Sequence, residues 1–332
     1  MFLLGCVGEV VSRVGGAWRA PLLIPCSRVA KSTSSGAQRP TVAFLRSASQ
    51  ANSRFFSTST SKKSSDMSWS HRPSLGCADV TEWQKHFPAA AGKRQSPIDL
   101  TKGEYNEELA GKALQISYKE ARECTLVNNG HSVQVNFKPS IGGLTGGPVT
   151  DNFEIAQYHF HWGAGDDKGS EHTVDGKYYP NELHLVHWNT SKFSSVSEAI
   201  SEPNGLTVLG IFLEAGEENV ELKKITDRFD KVKHCSQEIP IEDPICLKGL
   251  LPEDTKSFWS YDGSLTTPPC YESVNWIVFR KPITVSKEQL AAFRSLNEAK
   301  EGSDPEQHQA LVDNYRPVCE LNDRKLSTTF EE

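Results

Sequence analysis

No Cys-x-x-Cys pair occurs among the eight cysteines (Cys6, Cys26, Cys77, Cys124, Cys235, Cys246, Cys270 and Cys319), and no two of them are tightly spaced. Cys6 and Cys26 lie in a tract set apart below. The other six belong to a region long enough to stabilise itself by burial, so they are read as free thiols in a reducing compartment rather than as a disulfide framework. No run approaches the roughly 18 apolar residues of a membrane span. No internal repeat appears, and no break in composition divides residues 67–332. Helical signals are few. A single sequon, Asn189-Thr190-Ser191, would matter only in a secretory compartment.

Acidic residues are almost missing from the first 65 positions, where nine Lys or Arg stand against Glu9 alone; residues 66–332 hold 27 basic and 41 acidic residues. The first tract also carries seventeen Ser or Thr. Arg-rich, Ser-rich and acid-poor composition is that of a mitochondrial transit peptide. Arg54-Phe55-Phe56-Ser57 matches an Arg-x-Phe/Ser cleavage pattern, so residues 1–66 are expected to be a disordered leader cut after Phe56. The opening Met1-Phe2-Leu3-Leu4-Gly5-Cys6-Val7 lacks a basic flank and is interrupted by Glu9, which argues against secretion. The expected location is the mitochondrial matrix. Translation starting at Met67 would give a cytoplasmic product. The acidic folded portion excludes nucleic acid as a partner.

Strand signals dominate from Trp83 onward. Ala113–Lys119, His131–Phe137, Phe153–Trp162, Leu183–Asn189, Leu206–Leu213 and Val274–Phe279 are β-rich runs, several alternating polar with apolar residues. Turns are predicted at Asn128-Asn129-Gly130 and across Gly142–Pro148. Val220–Val232 has amphipathic spacing, and Ser286-Lys287-Glu288-Gln289 reads as a capping box opening a helix over Leu290–Leu296. One large sheet with short peripheral helices follows, a mixed but β-dominated single domain over residues 67–332.

Two of these strands carry the chemistry. In Gln157-Tyr158-His159-Phe160-His161-Trp162, alternation puts His159 and His161 on one face; in Glu182-Leu183-His184-Leu185-Val186 it puts Glu182, His184 and Val186 together. If the two strands are neighbours, three imidazoles converge. A His-x-His pair alone is more often two half-buried side chains, but a third histidine on a matching face suits a catalytic zinc with an open coordination position. Three neutral ligands leave the ion its full charge, so bound water is acidified and hydroxide becomes available near neutral pH. Ligating histidines also need their second nitrogen oriented. Gln157 and Glu182, two residues before His159 and His184, are placed to do that.

Ser264-Leu265-Thr266-Thr267-Pro268-Pro269 sets two hydroxyls in a rigid turn. A threonine donating to a carboxylate can hold a hydroxide with one lone pair aimed at substrate, and Glu171 in Ser170-Glu171-His172-Thr173 is the candidate acceptor. His131, after the Asn128-Asn129-Gly130 turn, could relay a proton outward, since imidazole titrates near neutral pH.

Taken together, Gln-Tyr-His-Phe-His-Trp-Gly, Ser-Glu-His-Thr-Val, Glu-Leu-His-Leu-Val-His-Trp-Asn, Gly-Ser-Leu-Thr-Thr-Pro-Pro, Asn-Tyr-Arg-Pro and Gly-Lys-Arg-Gln-Ser-Pro-Ile-Asp (92–99) resemble the α-class carbonic anhydrases, over about four-fifths of the chain. The resemblance implies a mainly antiparallel, twisted sheet of about ten strands with one zinc ion in a conical cleft. It implies a lyase that hydrates carbon dioxide reversibly to bicarbonate and a proton through zinc-bound hydroxide. His159, His161 and His184 match the zinc ligands, and Gln157 and Glu182 the groups behind them. Thr266 matches the gatekeeper hydroxyl and Glu171 its acceptor. Thr267 matches the contact to bicarbonate and sulfonamide inhibitors, and His131 the proton shuttle. Val186, Val208, Leu265, Val274 and Trp276 match the apolar wall that holds carbon dioxide. A monomer is expected.

Two positions depart from the family pattern. A tyrosine many members carry near the start of the domain is absent, with Ser74 about there. Cys270 stands where secreted members often have half a disulfide, but Ala89-Ala90-Ala91 offers no partner cysteine, and Cys77 could serve only if the N-terminal segment folded back; Cys270 is read as unpaired. Two other functions compete. A carbonic-anhydrase-related binding protein would keep the fold but lose a zinc histidine, so metal content separates it; a zinc esterase is separated by comparing carbon dioxide with an activated ester.

Overall fold

The computed structural model describes residues 68–73, 77–304 and 309–331. The expected leader, the cleavage after Phe56, the start at Met67 and Ser74 all lie outside the described residues.

Ten strands run side by side in the order Glu238–Ile241, Cys124–Asn128, Val133–Phe137, Val149–Trp162, Asn181–Asn189, Leu206–Ala215, Val274–Phe279, Phe258–Gly263, Ser327–Thr328 and Glu104–Tyr105. Three more, Leu114–Tyr118, Gly142–Gly146 and Ile283–Val285, pair at its flanks. Pairing is antiparallel except where Leu206–Ala215 meets Val274–Phe279 and Ile283–Val285, and where Ser327–Thr328 meets Glu104–Tyr105. This is the β-dominated, mainly antiparallel sheet expected, and each of the six predicted runs overlaps a strand.

Period-two alternation sorts the side chains into two cores. Tyr158, Phe160 and Trp162 with Leu183, Leu185, Leu209, Ile211 and Ile277 join the larger cluster. Val186, Leu206, Val208, Val274, Trp276 and Val278 join a second one. The central strands are thus buried on both faces, which leaves their polar side chains shut in and obliges each to find a partner.

Gly142–Pro148 departs from the prediction. Gly142–Gly146 is a strand, paired with Leu114–Tyr118 on one side and Val149–Trp162 on the other, and the chain reverses only at Gly146-Gly147-Pro148. A Cβ on Gly143 would lie 1.8 Å from the Phe153 carbonyl oxygen, so the glycine admits a neighbouring backbone rather than marking a turn. The amphipathic run Val220–Val232 also divides. An α-helix covers Val220–Thr226 and a 3-10 turn Phe229–Val232. Arg228 closes the helix, donating to the Lys224 carbonyl at 2.5 Å and to Asp243 at 2.6 Å. The capping box is present: Ser286 Oγ accepts from the Gln289 amide at 3.2 Å, Gln289 Oε1 accepts from the Ser286 amide at 3.0 Å, and the helix covers Lys287–Arg294.

Candidate metal centre

Strands Val149–Trp162 and Asn181–Asn189 are antiparallel neighbours, with His159 opposite His184, His161 opposite Glu182 and Gln157 opposite Val186. A register shift between Ile155 and Gln157 is what puts the histidines on the right side. Ile155 and Tyr158 both enter the larger core although three positions separate them, so parity switches at the irregularity and Gln157, His159 and His161 turn to the other face.

The three rings meet there, with centroids 5.2 Å apart for His159–His161, 5.2 Å for His159–His184 and 4.7 Å for His161–His184. One ligand atom from each lies within 4.8 Å of the others. Every ring is held by its remaining nitrogen. His159 Nδ1 is 2.9 Å from Gln157 Oε1, His161 Nδ1 is 2.7 Å from the Asn314 carbonyl, and His184 Nε2 is 2.8 Å from Glu182 Oε1. With those nitrogens donating, His159 Nε2, His161 Nε2 and His184 Nδ1 keep free lone pairs. His161 Nε2 is buried without a hydrogen-bond partner, a state that an ion would relieve. Burial first, and then neighbouring imidazoles, push His159 well below the ordinary histidine range; burial likewise lowers His161. Neutral imidazoles with oriented second nitrogens are the donor set zinc requires, so the residues fit one zinc ion.

Glu182 anchors more than one ligand. Its Oε2 accepts the amides of Glu171 (2.9 Å) and His172 (2.8 Å), and its Oε1 meets His172 Nδ1 at 2.7 Å. Burial would raise its pKa, but the His172 and His184 rings outweigh that and hold it well below the usual carboxylate range. His172 Nε2 continues to the Tyr261 hydroxyl at 2.7 Å, and Tyr261 to Ser96 Oγ at 2.9 Å. Ser96 Oγ accepts the Ser264 amide at 3.0 Å. A buried polar chain therefore ties His184 to the loop bearing Thr266 and Thr267.

The other expected residues fall as follows. Thr266 is buried and Thr267 half-buried. Glu171 is fully buried; its Oε1 accepts the Arg316 amide at 2.9 Å, while its Oε2 has no hydrogen-bond partner and lies 3.4 Å from His161 Nε2. Thr266 is thus not bonded to Oε2. The apolar residues do come together: Val208 pairs in register with Val186 on one side and Trp276 on the other. Leu265 and Val274 join the same cluster, and the Trp276 ring lies 4.8 Å from that of His184. His131 stacks on Trp69 at 3.8 Å, and burial pushes its pKa down to about 4. Cys77 and Cys270 are free thiols; Cys270 packs with Trp83, Phe87 and Ala90, so the segment without a partner cysteine meets it through apolar contact.

Several residues escaped the sequence reading. His172 sits inside a quoted motif, yet nothing in its spacing marked it as Glu182's partner. Tyr261, Ser96 and Asn314 arrive from distant segments. So does His71, from the N-terminal segment, whose ring lies 6.3 Å from that of His161. Burial, followed by His161, His131 and Arg72, holds its pKa well below the histidine range.

The sheet and its cradle define a protein with a three-histidine cluster able to hold a metal ion between neighbouring strands, backed by a buried carboxylate and flanked by an apolar wall. Residues 78–330 match the family described as eukaryotic-type carbonic anhydrase. Carbonic anhydrase 1 of Monodelphis domestica is 42% identical over 270 residues, covering 80% of this chain and 99% of that protein. Carbonic anhydrase 7 of Homo sapiens is 43% identical over 254 residues, covering 75% of this chain and 94% of that protein. The chain belongs to the eukaryotic-type carbonic anhydrase family.

Proposed function

We propose that the protein catalyses the reversible hydration of carbon dioxide to bicarbonate and a proton, with one zinc ion per chain held by His159, His161 and His184. The observation that carries this reading is the convergence of the three imidazoles, each fixed by its second nitrogen, beside an apolar wall on the same face. Bound in such a site, zinc would acidify water to a pKa of about 7, the value known for carbonic anhydrase.

The chain's own residues do the rest. Gln157, Glu182 and the Asn314 carbonyl hold the ligand rings in the tautomer that presents a lone pair. Val186, Val208, Leu265, Val274 and Trp276 form a niche for a small molecule without a net dipole, which an apolar wall suits better than a charged clamp. Thr266 orients the attacking oxygen once its hydroxyl donates to Glu171, and Thr267 contacts bicarbonate or a sulfonamide inhibitor. His131 exports the proton. Stacked on Trp69 its ring is neutral at pH 7, so it acts as shuttle by leaving that stack for solvent, where its pKa returns toward 6.5.

Stopped-flow carbon dioxide hydration by purified residues 67–332, with zinc quantified on the same sample, tests the reading. One zinc per chain with fast, sulfonamide-inhibited hydration is expected; absence of both metal and hydration overturns it. We further propose delivery to the mitochondrial matrix by residues 1–66, supported by their composition. N-terminal sequencing of the protein recovered from cells expressing the full chain should begin at Ser57, and an intact Met1 would count against it.

A further inference from the structure

Three buried side-chain atoms without a hydrogen-bond partner gather at one place: His161 Nε2, Glu171 Oε2 and His71 Nε2. Ligand atoms of the same three residues lie within 4.8 Å of one another. His161 is spoken for by the metal reading, and Glu171 is the acceptor proposed for the Thr266 hydroxyl. His71 is assigned to nothing, and a buried imidazole nitrogen left unpaired is costly unless a group absent from the protein meets it.

The way His71 is held shows that its position is built. Trp69 pairs with Ala78 across a backbone bridge, the Ser70 amide donates to the Ala78 carbonyl at 3.0 Å, and the Ala78 amide donates to the Ser68 carbonyl at 2.9 Å. The His71 ring is wedged edge-on against Trp69 and Trp83, with centroids at 5.3 Å and 5.6 Å. Next to it, Arg72 is tied to Glu298 at 2.9 Å and to the Ala310 carbonyl at 2.8 Å. The segment is therefore clamped on both sides of the ring, leaving a ring nitrogen close to His161 and Glu171.

We propose that His71 is a positioning residue for the metal's open coordination position, its ring nitrogen hydrogen-bonding the solvent or anion that sits there. The inference rests on the metal reading above and adds a fourth imidazole to it, one that touches the occupant and not the ion. A neutral ring offers one N–H donor and one lone pair, so it can serve an anion as donor and a water as acceptor.

The test uses the Co2+-substituted protein, whose visible spectrum reports coordination and anion binding, with azide as the probe. His71→Phe keeps a ring wedged between the tryptophans and removes both nitrogens. It should retain one metal per chain, alter the visible spectrum and weaken azide by roughly three- to tenfold, the loss expected for one hydrogen bond. His71→Gln, which restores a donor and an acceptor, should recover part of that loss. An unchanged spectrum and unchanged azide affinity in His71→Phe, with metal content intact, overturn the proposal. Failure of the unsubstituted protein to bind metal at all would instead overturn the metal reading beneath it.

Discussion

At the scale of single residues, the weight of the site rests on atoms that do not face the metal position. Glu182 is surrounded by two imidazoles and two amides, and its carboxylate fixes His184 through Nε2. Glu182→Ala is expected to weaken zinc binding by about 10–100-fold, measured by competition with a chelator, whereas His184→Ala should abolish stoichiometric binding. Equal zinc affinity in Glu182→Ala and the parent would show that the carboxylate is not needed to orient the ligand. His131 makes a separable prediction, since it touches none of the ligand nitrogens. His131→Ala should slow turnover at low buffer, keep its zinc and be rescued by added imidazole; normal turnover under those conditions would remove the shuttle assignment.

At the scale of elements, the sheet holds the site because each central strand is buried on both faces. The irregularity at Ile155–Gln157 converts a core-facing parity into a ligand-facing one without interrupting the strand. Its far end depends on the glycine strand Gly142–Gly146, which packs backbone to backbone on Val149–Trp162. Gly143→Val places its Cβ into the Phe153 carbonyl, and no flexible side chain is there to yield. A loss of at least ~2 kcal/mol is expected in urea unfolding. Gly111→Ala has nothing within 4 Å of the added carbon and serves as the control; its change should stay within about 0.5 kcal/mol.

For the whole molecule, buried neutral histidines set the response to acid. His187 Nε2 is 2.7 Å from the Tyr118 hydroxyl and its Nδ1 is 3.2 Å from the Thr207 carbonyl, and burial pushes its pKa down to about 3. Unfolded, the ring takes up a proton near pH 6.5. The unfolded chain therefore binds more protons below that pH, so this contribution is complete above pH 6.5 and is lost as pH falls toward 3. The slope reaches about 1.4 kcal/mol per pH unit for one proton. Urea unfolding at pH 7.5, 5.5 and 4.5 should show a shallower fall for His187→Gln than for the parent. Parallel slopes would mean that His187 does not contribute to acid sensitivity.

The histidine triad was legible in the sequence because strand geometry is local: a period of two puts His159 beside His161 and Glu182 beside His184 whatever surrounds them. The capping box at Ser286 was legible for the same reason, as were the six strand runs. The apolar wall and the expected role of Thr267 came through resemblance, since no local rule joins Val186, Val208 and Trp276. What only the tertiary structure decided was which distant groups complete the site. Asn314 reaches His161 across 153 positions, Tyr261 reaches His172 across 89, and His71 comes in beside His161 from the N-terminal segment. Those contacts depend on strand order and loop packing, and a hydrogen bond formed by chain closure leaves no periodicity in the sequence. The glycines of Gly142–Gly146 were ambiguous on the same ground, because glycine marks a turn and a close backbone approach alike, and only the neighbour tells them apart.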